Sequence, residues 1–309
     1  MTATPGDQND PGSNSKTNIT SQTHDGQAKK FYIFGHNIAH SLSPTLHNAG
    51  FRELGLPHHY SIHQSESVDE SVEELISRPD FGGASVTFPH KLQVGKLLDS
   101  VSPVVDKVGA VNTIVVKKTR DGGRALLGDN TDWLGIKSCI ESASVGQLRS
   151  STALVLGAGG AARAACHAIQ SLGIPELVIV NRTRGKAEEM ASLFPEMKTT
   201  VFGSLEAACG TNPAIRVIVA CVPADDLGEG RIPPGLFQGA EEGVLVEMAY
   251  RPQVTGMMQV ARRYPGWSVF TGIDVLEKQA YAQFELWTEM PAPTLVMGNA
   301  MRAKASGKL

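Results

Sequence analysis

The 309-residue sequence contains no apolar run near the ~20 residues needed to cross a bilayer as a helix. Cysteine is scarce. Cys139, Cys166, Cys209 and Cys221 are scattered, with no C-x-x-C pair. That excludes a disulfide scaffold and a zinc ribbon, and predicts a reduced, cytoplasmic protein whose cysteines act as small hydrophobes. Neither charge dominates: 28 Lys and Arg against 31 Asp and Glu give a net −3. Nothing in that balance offers a face to nucleic acid or to a membrane. The nine histidines lack metal-type spacing backed by acids. His58-His59 and the His36/His40 pair read as turn and packing residues, so no metal is expected. Apolar residues are nearly missing from residues 1–28, which cannot offset chain entropy by burial and are expected to form a disordered tail. The tail has no hydrophobic signal core, and it has acids but no arginine, unlike a transit peptide.

What is present points to a dinucleotide. The length suits two domains. Ala153 to Leu156 is a short apolar run that feeds Gly157-Ala158-Gly159-Gly160-Ala161-Ala162. Gly157 permits a tight turn, Gly159 lets a pyrophosphate approach the backbone, and Ala162 keeps the next helix close to the strand. The start of that helix offers unpaired N–H groups to phosphate. An apolar helix from Ala161 to Leu172, a stop at Gly173 and a second strand, Leu177 to Val180, complete a βαβ unit. After this strand, 24 residues beyond Gly157, an NAD site usually places Asp or Glu. Here the chain reads Asn181-Arg182-Thr183-Arg184-Gly185-Lys186. Guanidinium groups pair with a 2′-phosphate that a carboxylate would repel, so NADP(H) is expected over NAD(H). Arg184 and Lys186 have the simpler reading of a solvated helix face.

The first half carries polar residues at strand ends. Phe31 to Phe34 reads as a buried strand. Ser41 and Ser43 flank Leu42 before Pro44, which suits a first helical position, with Ser43 as its N-cap. The two hydroxyls are equally well placed to meet one carboxylate. Phe81 to Thr87 reads as a strand, followed by Phe88-Pro89-His90-Lys91 and a helix from Leu92 to Leu98. A lysine there opposes the helix dipole, yet strand C-termini are where α/β folds keep their chemistry. Such local conflicts gather at working sites. Asn112 precedes an apolar strand and is placed to point into a cleft. Asp132 opens a helix; it either compensates the dipole or pairs with Lys91 as acid and base. Gln279, Gln283 and Trp287 recur on one helix, where Gln279 could equally be a surface residue.

Taken in order, these stretches resemble the shikimate dehydrogenase family over about residues 30–300. The matching motifs are His40-Ser-Leu-Ser-Pro44, Val86-Thr-Phe-Pro-His-Lys91, Gly109-Ala-Val-Asn-Thr113, Asn130-Thr-Asp132, Gly157-Ala-Gly-Gly-Ala161, Asn181-Arg-Thr183, Tyr250-x-Pro252-x-x-Thr255 and Gln279. Gly55-Leu-Pro-His-His-Tyr60, Gly82-Gly-Ala-Ser-Val-Thr87 and Glu247-Met-Ala-Tyr250 are most similar to the shikimate dehydrogenase region of the fungal multi-enzyme of aromatic biosynthesis, here read as a free-standing copy. The chain departs from the family pattern at Ser85 (usually Asn), Trp133 (usually Gly), Ala220-Cys-Val222 (usually Asn and Thr) and Glu247 (usually Asp).

The resemblance implies a two-domain α/β architecture. Residues 29–135 would form a substrate domain, completed by a helix over 289–303. Residues 136–288 would form a Rossmann-type NADP-binding domain, with the active-site cleft between the two. Lys91 and Asp132 would be the catalytic pair. Ser41 and Ser43 would hold a substrate carboxylate, and Thr87, Asn112, Tyr250 and Gln279 would contact ring hydroxyls or close the pocket. Gly157, Ala158, Gly159, Gly160 and Ala161 would carry the pyrophosphate; Asn181, Arg182 and Thr183 the adenosine end; Met248 and Gly272 the nicotinamide end. The implied reaction is reversible NADPH-dependent reduction of 3-dehydroshikimate to shikimate. A quinate dehydrogenase is the nearest rival, and a ligand-sensing homologue without turnover is a rival of another class. The sequence has no signal of oligomeric state.

Overall fold

Among the described residues, short apolar runs alternating with amphipathic stretches build two sheets of six strands each. The computed structural model describes residues 26–307 apart from 144, 147 and 210–214. All of the expected 1–28 tail except its last three residues therefore lies outside the described residues.

The first sheet contains β1 (Lys30–Gly35), β2 (His59–Gln64), β3 (Phe81–Val86), β4 (Ser100–Val101), β5 (Thr113–Lys118) and β6 (Arg124–Asp129), in the order β2-β1-β3-β5-β6-β4. It is mixed. β5 runs antiparallel to both β3 and β6, so β3 and β6 point the same way and end at the same edge. Ser85 pairs with Thr113, and Thr113 with Asp129, so the start of β5 is wedged between those two strand ends. The helices around this sheet are α1 (Ser43–Glu53), α2 (Glu70–Ser77) and α3 (Pro103–Val108).

The chain crosses to the second sheet through α4 (Asp132–Ser142). That sheet contains β7 (Thr152–Leu156), β8 (Glu176–Val180), β9 (Lys198–Phe202), β10 (Ile215–Ala220), β11 (Gly243–Glu247) and β12 (Trp267–Phe270), interleaved with α5 (Gly160–Ser171), α6 (Arg184–Ser192), α7 (Leu205–Cys209), α8 (Gly235–Gln238) and α9 (Gly256–Ala261). Every pairing is parallel, and the order is β12-β11-β10-β7-β8-β9. The strand order reverses between β7 and β10, and ligands of doubly wound sheets bind at such a reversal. β7, β8, β10 and β11 are buried almost throughout, as expected of strands covered by helices on both faces.

The chain then returns. α10 (Gly272–Thr288) packs against α4, and α11 (Thr294–Ala305) packs on α1. Ala280, Phe284 and Trp287 of α10 and Met297 and Met301 of α11 share one core cluster with Phe31, Leu46 and Phe51. Among the described residues no helix is long and apolar enough to cross a membrane.

Two local expectations are corrected. Ser43 is not the cap of α1. It is the first helical residue, Leu42 is the N-cap, and no side chain caps the helix. The expected helix from Leu92 to Leu98 is two short 3-10 turns, His90–Leu92 and Val94–Leu97. Gly95 in the middle of the segment adds backbone entropy where a continuous helix would have to form.

Candidate active site

Lys91 sits on the 3-10 turn just beyond β3, and Asp132 opens α4 just beyond β6. Because both strands end at one edge, the two side chains meet. The Lys91 amine donates to Asp132 Oδ2. Both side chains are largely buried, so the pair is held in a setting that water screens poorly. Asp132 could have been a helix-capping carboxylate. Its oxygens instead accept from Lys91 Nζ and from Asn112 Nδ2, the latter at 2.9 Å.

Asn112 occupies the wedge before β5. The orientation of its amide is decided by the backbone, since the N–H of Thr131 donates to Oδ1 at 2.7 Å. Nδ2 is therefore left to face Asp132, Thr131 Oγ1 at 3.0 Å and Gln279 Oε1 at 3.1 Å. Gln279 also accepts from Thr131 Oγ1 at 2.9 Å. It is buried at 6% exposure, so the surface reading of Gln279 is excluded. Lys91, Asp132, Asn112 and Gln279 form one hydrogen-bonded cluster drawn from a strand end, a helix start, a loop and α10.

The two serines stand together. The Ser43 N–H donates to Ser41 Oγ at 3.3 Å, and Ser43 is almost fully buried. Thr87, half-buried, lies beside Gly35, and its N–H donates to Phe34 O. Tyr250 comes from the other side of the cleft, in the loop after β11. Its ring lies 5.7 Å from that of His40, in the loop that leads to Ser41. Burial raises the Tyr250 phenol pKa and lowers that of His40. The loop is anchored by Glu247, whose carboxylate accepts from the Ala249 N–H at 3.0 Å and from Thr255 Oγ1 at 2.8 Å. Burial pushes the Glu247 carboxyl up despite these donors.

The glycine turn lies against this cluster. Gly157 has φ +112°, and a Cβ there would come within 2.9 Å of Cys221 O, so only glycine fits. A Cβ on Gly159 would meet nothing within 4 Å, which leaves open space over the turn. α5 begins at Gly160 with no side-chain cap, so its first N–H groups are available to an anion. These features fit a pyrophosphate. A Cβ on Gly160 would lie 3.2 Å from Lys91 Cβ, which puts the amine-bearing side chain in contact with the turn. Ala158 and Ala161 flank these glycines at the turn. Gly272 touches the loop containing Met248, since a Cβ there would come within 2.5 Å of Met248 O.

Asn181, Arg182 and Thr183 follow β8, the strand next to β7. Asn181 Nδ2 donates to Thr183 O at 2.8 Å, and Arg182 is exposed. Arg184 pairs with Glu188 one helical turn on, as a solvated helix face would. Cys221, at the end of β10, has its thiol pushed well up by burial and is not a thiolate nucleophile.

Sequence reasoning did not single out Thr131, Tyr60 or Gln283 as site residues. Tyr60 Oη donates to Ser85 Oγ at 2.6 Å, and Ser85 Oγ donates to Gln283 Oε1 at 2.9 Å. Gln283 Nε2 donates to Asn112 O at 3.1 Å and to Thr113 Oγ1 at 2.9 Å. The available signal was the helical spacing of Gln279, Gln283 and Trp287, which sets two amides on one face of α10 beside a tryptophan.

A parallel sheet with a bare glycine bend at its reversal, facing a lysine–carboxylate pair on a second sheet, defines a two-domain α/β protein of the dinucleotide-binding class. Family models for the shikimate dehydrogenase substrate binding domain, shikimate/quinate 5-dehydrogenase and the shikimate 5′-dehydrogenase C-terminal domain match residues 33–114, 140–223 and 272–302. The shikimate 5-dehydrogenase of Thermus thermophilus, solved in complex with NADP(H) and shikimate, is 32% identical with TM-score 0.73, over 90% of this chain and 99% of that one. The pentafunctional AROM polypeptide of Malassezia globosa is 44% identical over 86% of this chain, and the quinate repressor protein of Emericella nidulans is 36% identical over 87%. This chain spans only 17% and 34% of the lengths of those two relatives. The chain belongs to the shikimate dehydrogenase family.

Proposed function

We propose that this chain is a shikimate 5-dehydrogenase that reversibly reduces 3-dehydroshikimate to shikimate with NADPH. The observation that carries the proposal is the Lys91 amine, hydrogen-bonded to Asp132, with its stem against the glycine turn at Gly160. A bound reduced nicotinamide would supply a hydride to the ring carbonyl carbon. Negative charge then develops on the carbonyl oxygen. Lys91, as an ammonium, donates a proton to that oxygen, and Asp132 holds the amine in place and balances its charge. In the reverse direction the neutral amine takes the hydroxyl proton. Asn112 and Gln279, fixed by the cluster, orient ring hydroxyls together with Thr87. Ser41 and Ser43 hold the carboxylate, and Tyr250 closes the pocket from the opposite domain. Gly157, Ala158, Gly159, Gly160 and Ala161 take the pyrophosphate; Asn181, Arg182 and Thr183 the adenosine end; Met248 and Gly272 the nicotinamide end. Asn181 in the place where an NAD site carries an acid, followed by Arg182, favours NADP(H) over NAD(H).

Quinate is the alternative substrate, and likeness to a quinate repressor protein supports a second reading as a ligand sensor without turnover. Absorbance at the nicotinamide band, with shikimate or quinate and each cofactor, separates these. Turnover of shikimate with NADP⁺ well above quinate is expected, and no turnover of either would favour the sensor. Lys91→Ala is expected to lower kcat by at least ~100-fold with little change in substrate KM. Near-normal turnover in that variant removes Lys91 from the chemistry.

A further inference from the structure

One side chain ties the cofactor helix to the segment that holds the catalytic pair. α3 ends at Val108, and Gly109 beyond it takes a left-handed conformation, φ +66°. A helix leaves its last carbonyls without partners of its own, and basic side chains commonly answer them. Val108 O takes its donor from the second sheet's half of the chain. Arg163 Nη1 reaches it from α5 at 3.3 Å. The guanidinium lies over the bare Gly109, where a Cβ would come within 3.3 Å of Nη1. Nη2 pairs with Glu189 at 2.7 Å, but Glu189 is 65% exposed, so water screens that contact. The bond to Val108 is the more buried of the two.

The residues after Val108 run straight through the site. Ala110 O accepts from Asn130 Nδ2 at 2.8 Å, and the Val111 N–H donates to Lys91 O at 2.8 Å. Asn112 then donates to Asp132. At the other end of the link, the Arg163 N–H donates to Gly159 O at 3.0 Å. Arg163 therefore stands in the first turn of α5, the helix whose start faces the open space over the glycine turn.

We infer that Arg163 is a positioning residue that couples dinucleotide binding to the placement of Lys91 and Asp132. This rests on the proposed function. Phosphates seated on the glycine turn fix the start of α5. Arg163 carries that constraint to Val108, and the 108–112 segment carries it to the main chain of Lys91 and to Asn112. The distance between the hydride donor and the acid is set through this link. Lys107 Nζ donates to Gln170 Oε1 at 2.7 Å two turns further along α5, so α3 and α5 stay docked when Arg163 is changed.

The test uses the full chain with Arg163→Met, which keeps an apolar stem and removes the guanidinium, and with Glu189→Gln, which removes only the exposed ion pair. The first readout is amide exchange over residues 108–112, followed by mass spectrometry with and without NADPH. In the wild-type protein NADPH is expected to slow exchange there by about fivefold or more. Arg163→Met should lose that slowing while the NADPH Kd changes less than about twofold, and Glu189→Gln should keep it. The second readout is shikimate oxidation. Arg163→Met should cut kcat about tenfold, hold KM for shikimate and NADP⁺ within about twofold, and raise the primary deuterium isotope effect on kcat as hydride transfer becomes the slow step. Slowing of exchange that survives in Arg163→Met, or a loss confined to KM, would overturn the coupling. So would losses in Glu189→Gln equal to those in Arg163→Met. A thermal melt checks folding, and if Arg163→Met does not fold, Arg163→Gln, with its shorter side chain, makes the same comparison. If the wild-type protein oxidises no shikimate while NADPH still slows exchange through Arg163, the dehydrogenase reading fails and the coupling stands.

Discussion

His47 is a titratable side chain held entirely out of water in the first domain. It is fully buried among Phe51, Tyr60, Phe284 and Trp287, and neither ring nitrogen makes a hydrogen bond of ordinary geometry. Burial pushes its pKa from 6.5 down to about 3, opposed only by the nearby Gln283 amide. Below pH 6.5 the unfolded chain binds a proton that the folded site refuses until about pH 3, so stability falls with falling pH across that window. Between about pH 7 and about pH 5 the loss from this one residue is about 2 kcal/mol. Urea unfolding of wild type and His47→Leu at those two pH values checks it. The drop on acidification should shrink by that amount in the variant, and an unchanged drop would mean that His47 protonates freely. Residue identities were the most legible part of the site. The glycines, Lys91 and Asp132 stand in spacings tied to chemistry. Which of two roles each polar residue plays was not legible. Asp132 could cap or pair, Gln279 could face water or Asn112, and Ser43 could cap or line a pocket. Each choice is made by a partner at least 19 residues away or by packing that no local pattern encodes.

At the level of elements, the strands around the glycine turn read clearly because uninterrupted apolar runs mark buried parallel strands. β4, two exposed residues long, carries no such signal. The expected Leu92–Leu98 helix failed because its period is interrupted by Gly95. The crossing of α4 and α10 is the contact that sets the site. A Cβ on Gly135 would lie 2.8 Å from Val275 O and 3.1 Å from Gln279 Cβ, so the helices meet backbone to backbone there. Gln279 is itself part of that contact, and Asp132 stands one turn before Gly135. Gly135→Ala should therefore push them apart, costing about 1–3 kcal/mol of stability as overpacking does. Thermal melts and steady-state kinetics together test this. Stability and kcat should fall together; a fall in stability with unchanged kcat would show that the crossing does not govern the Asp132–Asn112–Gln279 geometry.

At the level of the whole molecule, two sheets of different topology are joined by α4 going out and α10 coming back. The two-domain organisation was legible from length, and the Rossmann half from one βαβ unit. The return of α10 into the core of the first domain was not, because Gln279, Gln283 and Trp287 read only as recurring on one helix, and the expected boundary at 288 kept that helix in the nucleotide-binding half. Ligand that binds the folded state alone raises its stability by about 2.7 kcal/mol at a hundredfold excess over Kd. NADPH should accordingly raise the melting temperature, and Arg182→Ala should remove most of the NADPH shift while leaving that of NADH. Equal losses with both cofactors would mean that Arg182 does not read the 2′-phosphate.

The missing side chain at position 160 has a mechanical consequence. Bare backbone meets the stem of Lys91 there, and a methyl group would sit 3.2 Å from it. This touching point ties the glycine turn to the position of the lysine stem. On the proposed function, Gly160→Ala is expected to displace the Lys91 stem and lower turnover more than it weakens NADPH binding, as kcat and cofactor KM measured together would show.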